Sequence, residues 1–236
     1  MQDKSLKSSL AAQISADLRT SIVLGEYLPA SKLKIDDLAL RFAASTGIVR
    51  EALSRLSAEG LVTALPQRGF IVSPISRDEL TELTDARVRV ERDCLAASID
   101  RGDVNWESEL IAAEHRLAAA TSALAQKSDR DTVVQWPARH EAFHDALTCA
   151  CGNRWWLRFR QQLFIQSERY RQLSGLTRGG SPGIDRDVNT EHAALMRAAL
   201  DRDAARAGDL IEAHLRKTAD ILLTSPRLQA AFETAA

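Results

Sequence analysis

Five consecutive residues, His140-Glu141-Ala142-Phe143-His144, have the form H-E-x-x-H. On a helix, residues four apart share a face, so both imidazoles reach one metal ion while the carboxylate between them has the place of a general base in zinc peptidases. Two chemistries follow: hydrolysis by an activated water, or metal binding put to another use. A metzincin needs H-E-x-x-H-x-x-G-x-x-H, but Leu147 stands at the glycine position and Ala150 at the third histidine. Other zinc peptidases take a downstream glutamate as third ligand. Glu168 lies 24 residues after His144 on the next predicted helix, so spacing alone leaves that route open.

The elements that must carry these residues are legible from hydrophobic spacing. Leu10, Ile14, Leu18 and Ile22 recur every four residues ahead of Gly25, which predicts an amphipathic helix. A second helix begins near Asp36, an N-cap type residue, with Leu38, Ala39 and Phe42 on one side, and breaks at Ala43-Ala44. Ser45 caps a third helix through about Glu59. It turns Val49, Ala52, Leu53 and Leu56 inward and Arg50, Ser54 and Ser57 outward, and Gly60 ends it. The period then changes: Leu61–Leu65 and Phe70–Val72 are short strand-forming runs joined by Pro66-Gln67-Arg68-Gly69, a β-hairpin. Three helices and a two-stranded wing outline a winged helix-turn-helix, whose third helix enters the major groove. Arg50 would then meet DNA, and Arg68 with Gly69 would bring the wing tip to a phosphate or minor groove. The alternative is a small helical subdomain in which Arg50-Glu51 is only a solvated face.

Beyond Pro74 the pattern is helical. Segments of about 77–101, 103–127, 131–150, 154–173, 185–201 and 203–222 predict a bundle of about six helices, with Ser174–Gly183 as a mobile connection. The expected fold class is therefore mainly α. Residues 1–74 form a winged helix-turn-helix domain with a small hairpin wing, and residues 75–236 form an all-α bundle.

Composition fits a soluble, cytoplasmic protein of one or two domains: 236 residues, 45% hydrophobic, with no apolar run near the roughly 20 residues of a bilayer span and no signal-peptide core at Met1–Ser5. Cys94, Cys149 and Cys151 are odd in number and form no CxxC pair, so buried reduced thiols are expected. Net charge is -1, which excludes a protein that coats nucleic acid indiscriminately. Residues 1 to 75 carry nine Lys/Arg against seven Asp/Glu, the weakly basic half.

The run Val49-Arg50-Glu51-Ala52-Leu53-Ser54-Arg55-Leu56-Ser57-Ala58-Glu59-Gly60-Leu61-Val62, with Leu33–Ala39 before it and Pro66–Val72 after it, resembles the DNA-binding domain of GntR-type regulators. The resemblance implies a dimeric repressor or activator. Ser45, Arg50 and Gly69 match DNA-contacting positions. Thr46, Gly47 and Ile48 stand where the family has Arg, Thr and Pro, so Thr46 and Gly47 join the DNA-facing candidates with an altered specificity. The second half is similar to the fatty-acid-regulator subfamily with its FCD effector domain, through Arg87–Glu91, Phe143-His144, Cys151-Gly152-Asn153, Glu191-His192 and Ala213-His214-Leu215. In wording such as Arg139–His144 it looks most like the glutarate-responsive repressors of carbon-starvation and γ-aminobutyrate operons.

That subfamily implies a metal held by one Asp or Asn and three His. Of the five histidines, His140, His144, His192 and His214 fall on the four ligand positions and His115 does not. His140 replaces the acidic or amide ligand. Imidazoles suit Zn, Ni and related divalent ions, and a ligand set without negative charge favours an anionic effector. A complete imidazole shell also leaves little room for a catalytic water, so Glu141 is expected as an outward or supporting carboxylate and the chain is not expected to be an enzyme. Arg87 matches a position near the ligand cavity and could pair with a carboxylate, unless it serves a salt bridge to Glu91; Arg169 and Arg197 are lesser cavity candidates. The expected partners are an operator duplex, a second copy of the chain and a small carboxylate such as the dicarboxylate glutarate. A regulator for which the metal is itself the signal is the alternative, and a zinc hydrolase using H-E-A-F-H a remote one.

Overall fold

The four-residue repeat of the N-terminus becomes the buried edge of α1 (Gln2–Val23): Ile14, Leu18 and Ile22 pack with Leu53, Leu56 and Phe70 in one apolar cluster. The structure, a computed structural model, describes residues 2–126, 130–174 and 186–235. The helix expected at Asp36 starts one residue earlier. α2 (Ile35–Arg41) has Lys34 at its N-cap with no side-chain cap bond, and Asp36 and Asp37 lie in the first turn, where carboxylates favour the helix dipole. α3 (Thr46–Ala58) follows the sequence closely, its first turn closed by Ser45 Oγ accepting from Ile48 N at 3.4 Å.

The expected hairpin, β2 (Val62–Leu65) and β3 (Gly69–Val72), gains a third strand. β1 (Lys32–Leu33) pairs antiparallel with β3, Leu33 opposite Phe70, giving the order β1-β3-β2. Two residues carry no periodicity, so only the burial of Leu33 marks that strand. The wing turn needs backbone that most side chains avoid: Gln67 has φ 59° and Gly69 φ 93°.

The bundle consists of α4 (Arg77–Arg101), α5 (Val104–Gln126), α6 (Arg130–Thr148), α7 (Arg154–Ser174), α8 (Val188–Leu200), α9 (Ala204–Thr224) and α10 (Pro226–Ala235), with a single 3-10 turn at Cys149–Cys151 before α7. Ser76, Asp187 and Asp203 cap α4, α8 and α9 through their side chains. The mainly-α class holds, with one helix more than the six expected. α10 buries only Leu228 fully, against Tyr170 and Leu222, and that is too little for its pattern to stand out. The core is filled by Leu95, Leu110, Leu117, Phe143, Leu195 and Ile211 from α4, α5, α6, α8 and α9. Beyond Ser174, the connection expected at 174–183 lies outside the described residues. No described helix is long and apolar enough to cross a membrane.

Two features fix α7, which becomes the element common to every site below. At its start, Gly152 has φ 73°, and the Arg101 guanidinium donates to the Cys151 carbonyl at 2.6 Å where a Cβ on Gly152 would collide with it. At its other end, Gln166 Nε2 donates to the Glu59 carbonyl at 2.7 Å and Arg169 Nη2 to the Ser73 carbonyl at 2.5 Å, fastening the bundle to the winged helix. Gly152→Ala adds left-handed strain and displaces a charged hydrogen bond, so unfolding in urea should show a loss of about 1–3 kcal/mol.

Candidate functional site

His140 and His144 lie one turn apart on α6, and α8 and α9 bring His192 and His214 to the same point. One ring nitrogen from each of the four lies within 4.8 Å of all the others, and all four side chains are buried. His140 Nε2 and His144 Nε2 are 3.1 Å apart. Two nitrogens each about 2.0–2.1 Å from a shared ion are roughly 3.0–3.4 Å apart, so this spacing suits common ligation.

The walls are aromatic. Trp136 stacks on His140 with ring centroids 4.9 Å apart, and Phe143 lies 4.9 Å from His192. Burial in this apolar shell pushes His140, His144 and His192 well below the usual imidazole range, with the Arg171 charge adding to the effect at His140 and His192. His214 is pushed down to about 4 by burial, against the opposing pull of Glu191. At neutral pH all four rings are therefore uncharged and each offers a lone pair. The protein supplies few partners for them: both nitrogens of His192 and Nδ1 of His144 are buried without a hydrogen bond. Orphaned ring nitrogens around a common point fit a divalent cation.

The supporting shell fits as well. Glu191 Oε2 is 2.9 Å from His214 Nδ1 and accepts from Arg186 Nη2 at 2.6 Å, so it can hold His214 in the tautomer that turns Nε2 inward. Burial pushes the Glu191 carboxyl up, but hydrogen bonds from His214 and Arg186 outweigh it and keep the group ionised. Arg186 Nη2 also lies 3.2 Å from His214 Nδ1. That nitrogen cannot donate to Glu191 and accept from Arg186 at once, and the carboxylate is the stronger partner.

A cavity of about 20 Å³ opens beside the cluster, bordered by Arg87, His140, Arg171 and His214. Arg87 is placed between the two roles weighed for it. It pairs with Glu91 at 3.4 Å and faces this cavity, with Nη2 buried and unpartnered. Arg171 was missed by the sequence. Its Nη1 stands 2.9 Å from His140 Nε2 and 3.3 Å from Glu168 Oε1, and its Nε has no partner. In the run Glu168-Arg169-Tyr170-Arg171 it resembles ordinary surface charge, and only its spacing of seven residues from buried Phe164 hints otherwise. Glu168 is thus occupied by Arg171 and is not a third zinc ligand. Glu141 accepts from Gln161 at 2.7 Å and acts as a structural carboxylate. Arg169 serves the Ser73 carbonyl and Arg197 is exposed, so neither belongs to the cavity. Cys94 and Cys151 are buried thiols as expected, but Cys149 is exposed.

In the N-terminal half, Ser45, Thr46, Gly47 and Arg50 are all exposed along the start of α3, and Arg68 is exposed on the wing turn beside half-buried Gly69. Arg50 has no ion-pair partner among the described residues. Unsatisfied backbone N–H groups at such a helix start attract phosphate, so the surface suits a nucleic-acid backbone.

Both halves of the chain match known families. Residues 10–72 match the model of bacterial regulatory proteins of the gntR family, and residues 82–217 match the FCD domain. The chain is 38% identical over 208 residues to the HTH-type transcriptional regulator BphR of Paraburkholderia xenovorans (strain LB400), covering 87% of this chain and 82% of the relative. It is 36% identical over 198 residues to the HTH-type transcriptional repressor GlaR of Escherichia coli (strain K12), covering 84% and 89%. Among solved structures, E. coli McbR/YncC superposes with a TM-score of 0.74 at 20% identity over 90% of this chain and 96% of that one, a likeness of fold.

The carboxylate of Glu91 lies between two buried guanidiniums, Arg87 at 3.4 Å and Arg160 at 2.9 Å. Its removal strands Arg87 and leaves Arg160 with Asp145 at 2.5 Å as its remaining carboxylate. Glu91→Ala should lower the stability of the metal-stripped protein by about 3–5 kcal/mol in chemical denaturation.

Proposed function

A chain matched in this way along most of its length belongs to the GntR family of bacterial regulators, in the branch with an FCD domain, and on that premise we propose a ligand-responsive repressor whose effector is a small carboxylate bound beside a metal. The family consists of DNA-binding transcriptional regulators and not of enzymes. Residues 1–74 are assigned as the DNA-binding head and residues 75–236 as the sensor, and the protein acts in the cytoplasm as a homodimer on a two-fold operator duplex. Phosphate contacts by Ser45, Thr46, Gly47 and Gly69 set the position of the head, and Arg50 and Arg68 reach the grooves.

His140, His144, His192 and His214 would hold the ion, Zn or another divalent metal such as Ni. The observation that carries this is the pair of unpartnered nitrogens on buried His192, facing three further neutral imidazoles. When bound, the ion supplies a positive anchor whose ligand set brings no compensating charge. Arg87 and Arg171 add two cations at the same cavity, with unpartnered N–H donors on each. A carboxylate satisfies them all. A dicarboxylate such as glutarate could place one end on the histidine side and the other on a guanidinium.

The cavity as it stands holds about one water, so an effector of this size must displace its walls. Those walls include α7, which also carries Gln166 and Arg169 to the head. Effector binding therefore favours a state with a different head arrangement, and it releases DNA to the extent that it binds that state more tightly. A second assignment, in which the metal is the signal, is favoured by the completeness of the four-imidazole set and predicts DNA release by metal alone.

Three measurements test the proposal. Arg50→Ala should weaken binding to a duplex selected from a random pool by ten- to a hundredfold, roughly 1–3 kcal/mol, with metal content unchanged. His192→Ala should lower the metal content measured by inductively coupled plasma mass spectrometry and abolish the effector response while DNA binding persists. Full metal stoichiometry and response in that variant sink the site assignment. In thermal shift against mono- and dicarboxylates, one acid should stabilise the metal-loaded protein and lose its effect after chelation. Stabilisation by metal alone, coupled to DNA release, selects the metal-signal assignment.

A further inference from the structure

We propose that the outer face of α4 and of the first half of α7 is the surface on which two copies of this chain meet. The inference rests on the two-headed regulator proposed above, which requires a homodimer without specifying where it forms.

The two helices run antiparallel. Tyr170 reaches Ser76 and Glu79 at one end, Arg160 bonds Glu91 at 2.9 Å in the middle, and Arg101 reaches Cys151 at the other end. The first half of α7 turns Arg160 and Phe164 inward. Outward it presents Trp155, Trp156 and Phe159, which are 62%, 39% and 50% exposed. Trp155 and Phe159 are neighbours on the helix surface, with ring centroids 6.2 Å apart. With about 150–250 Å² per aromatic side chain, their exposed part is on the order of 300 Å², the size of the largest apolar patch on a typical monomer, which is often functional. A standard interface covers about 800 Å² on each partner, so these rings are its centre and the adjoining helix must extend it. α4 does so with half-buried Val90 and Ala97, small enough to admit a partner's rings.

Charge identifies the partner. Arg154 and Arg158 are exposed beside the rings, Arg158 lying over Trp155, and neither has an acidic partner among the described residues. Asp93 and Asp100 are exposed seven residues apart on α4 and have no basic partner among the described residues. In a two-fold interface each contact between residues i and j occurs twice, so a surface with unpaired cations on one helix and unpaired anions on its neighbour complements itself. DNA is a poor occupant, since the aspartates repel phosphate.

Sedimentation equilibrium of the full-length metal-loaded chain decides the matter with two charge variants, Arg154→Glu/Arg158→Glu and Asp93→Arg/Asp100→Arg. Each should dimerise at least tenfold more weakly than the unaltered chain, because like charges then face each other. An equimolar mixture of the two should form a heterodimer at close to the unaltered affinity, an outcome that a folding defect cannot produce. Trp155→Ser/Phe159→Ser, made at exposed positions, should also weaken the dimer at least tenfold. Metal content and far-UV circular dichroism should match the unaltered chain throughout. Unchanged dimer affinity in the variants, or a mixture that stays monomeric, overturns the proposed surface while leaving the two-headed regulator intact. If the unaltered chain is monomeric at tens of micromolar with and without DNA, the homodimeric regulator fails too.

Discussion

Four imidazoles buried at one point cannot all be positively charged, and the bundle is organised around that constraint. Burial and nearby guanidiniums keep the rings neutral, so their inward nitrogens are acceptors with almost no donors to meet. An apolar core would avoid the cost of burying unpaired polar groups. Here Trp136, Phe143 and Phe164 pack around the rings. The carboxylates nearby are used elsewhere: Glu191 orients His214 from outside, Glu168 pairs with Arg171, and Glu91 pairs with Arg87 and Arg160. On the proposed function, a cation at the centre of the cluster and an anion at its edge would complete this arrangement.

α7 connects this constraint to the rest of the molecule. Its successive positions serve both the histidine cluster and the winged helix: Phe164 against the histidines, Gln166 on the Glu59 carbonyl, Glu168 beside Arg171, Arg169 on the Ser73 carbonyl, and Arg171 on His140. A helix is stiff over such a length, so a shift that relieves Arg171 at the cavity is carried directly to the Ser73 and Glu59 carbonyls. The same helix begins with the aromatic face proposed for dimerisation. Sensor, head and partner surface thus share one rigid element, and no long chain of side-chain contacts is required to connect them.

Much of this was legible in the sequence because it is written in spacing. Ser45 at a helix start, Arg50 on the outward face of α3, and His140 with His144 one turn apart follow from periodicity and capping. Joining His192 and His214 to that pair needed the family resemblance, since no local rule relates residues on separate helices. The residues that were missed are polar ones pointing inward. Arg171 and Arg160 look like surface charges in an arginine-rich helix, and their direction is fixed only by where α4 and α6 pack. Strand β1 and helix α10 escaped for the opposite reason: each buries so little that its pattern carries no signal.

The arginines also bear on which ligand the site can accept. Arg171 now approaches His140 Nε2, the lone pair that a metal would take, so a bound cation and this guanidinium compete for the same direction. Two cations that close repel unless an anion lies between them. Arg87, with a free donor across the same cavity, has the same need. A carboxylate entering there would relieve the repulsion and satisfy both guanidiniums together, whereas a neutral ligand of equal size would have to fill the space while leaving the charges opposed. On the proposed function, selectivity for acids would arise from the cost of the ligand-free state as much as from contacts made on binding. The helix that bears Arg171 is the one that would have to move.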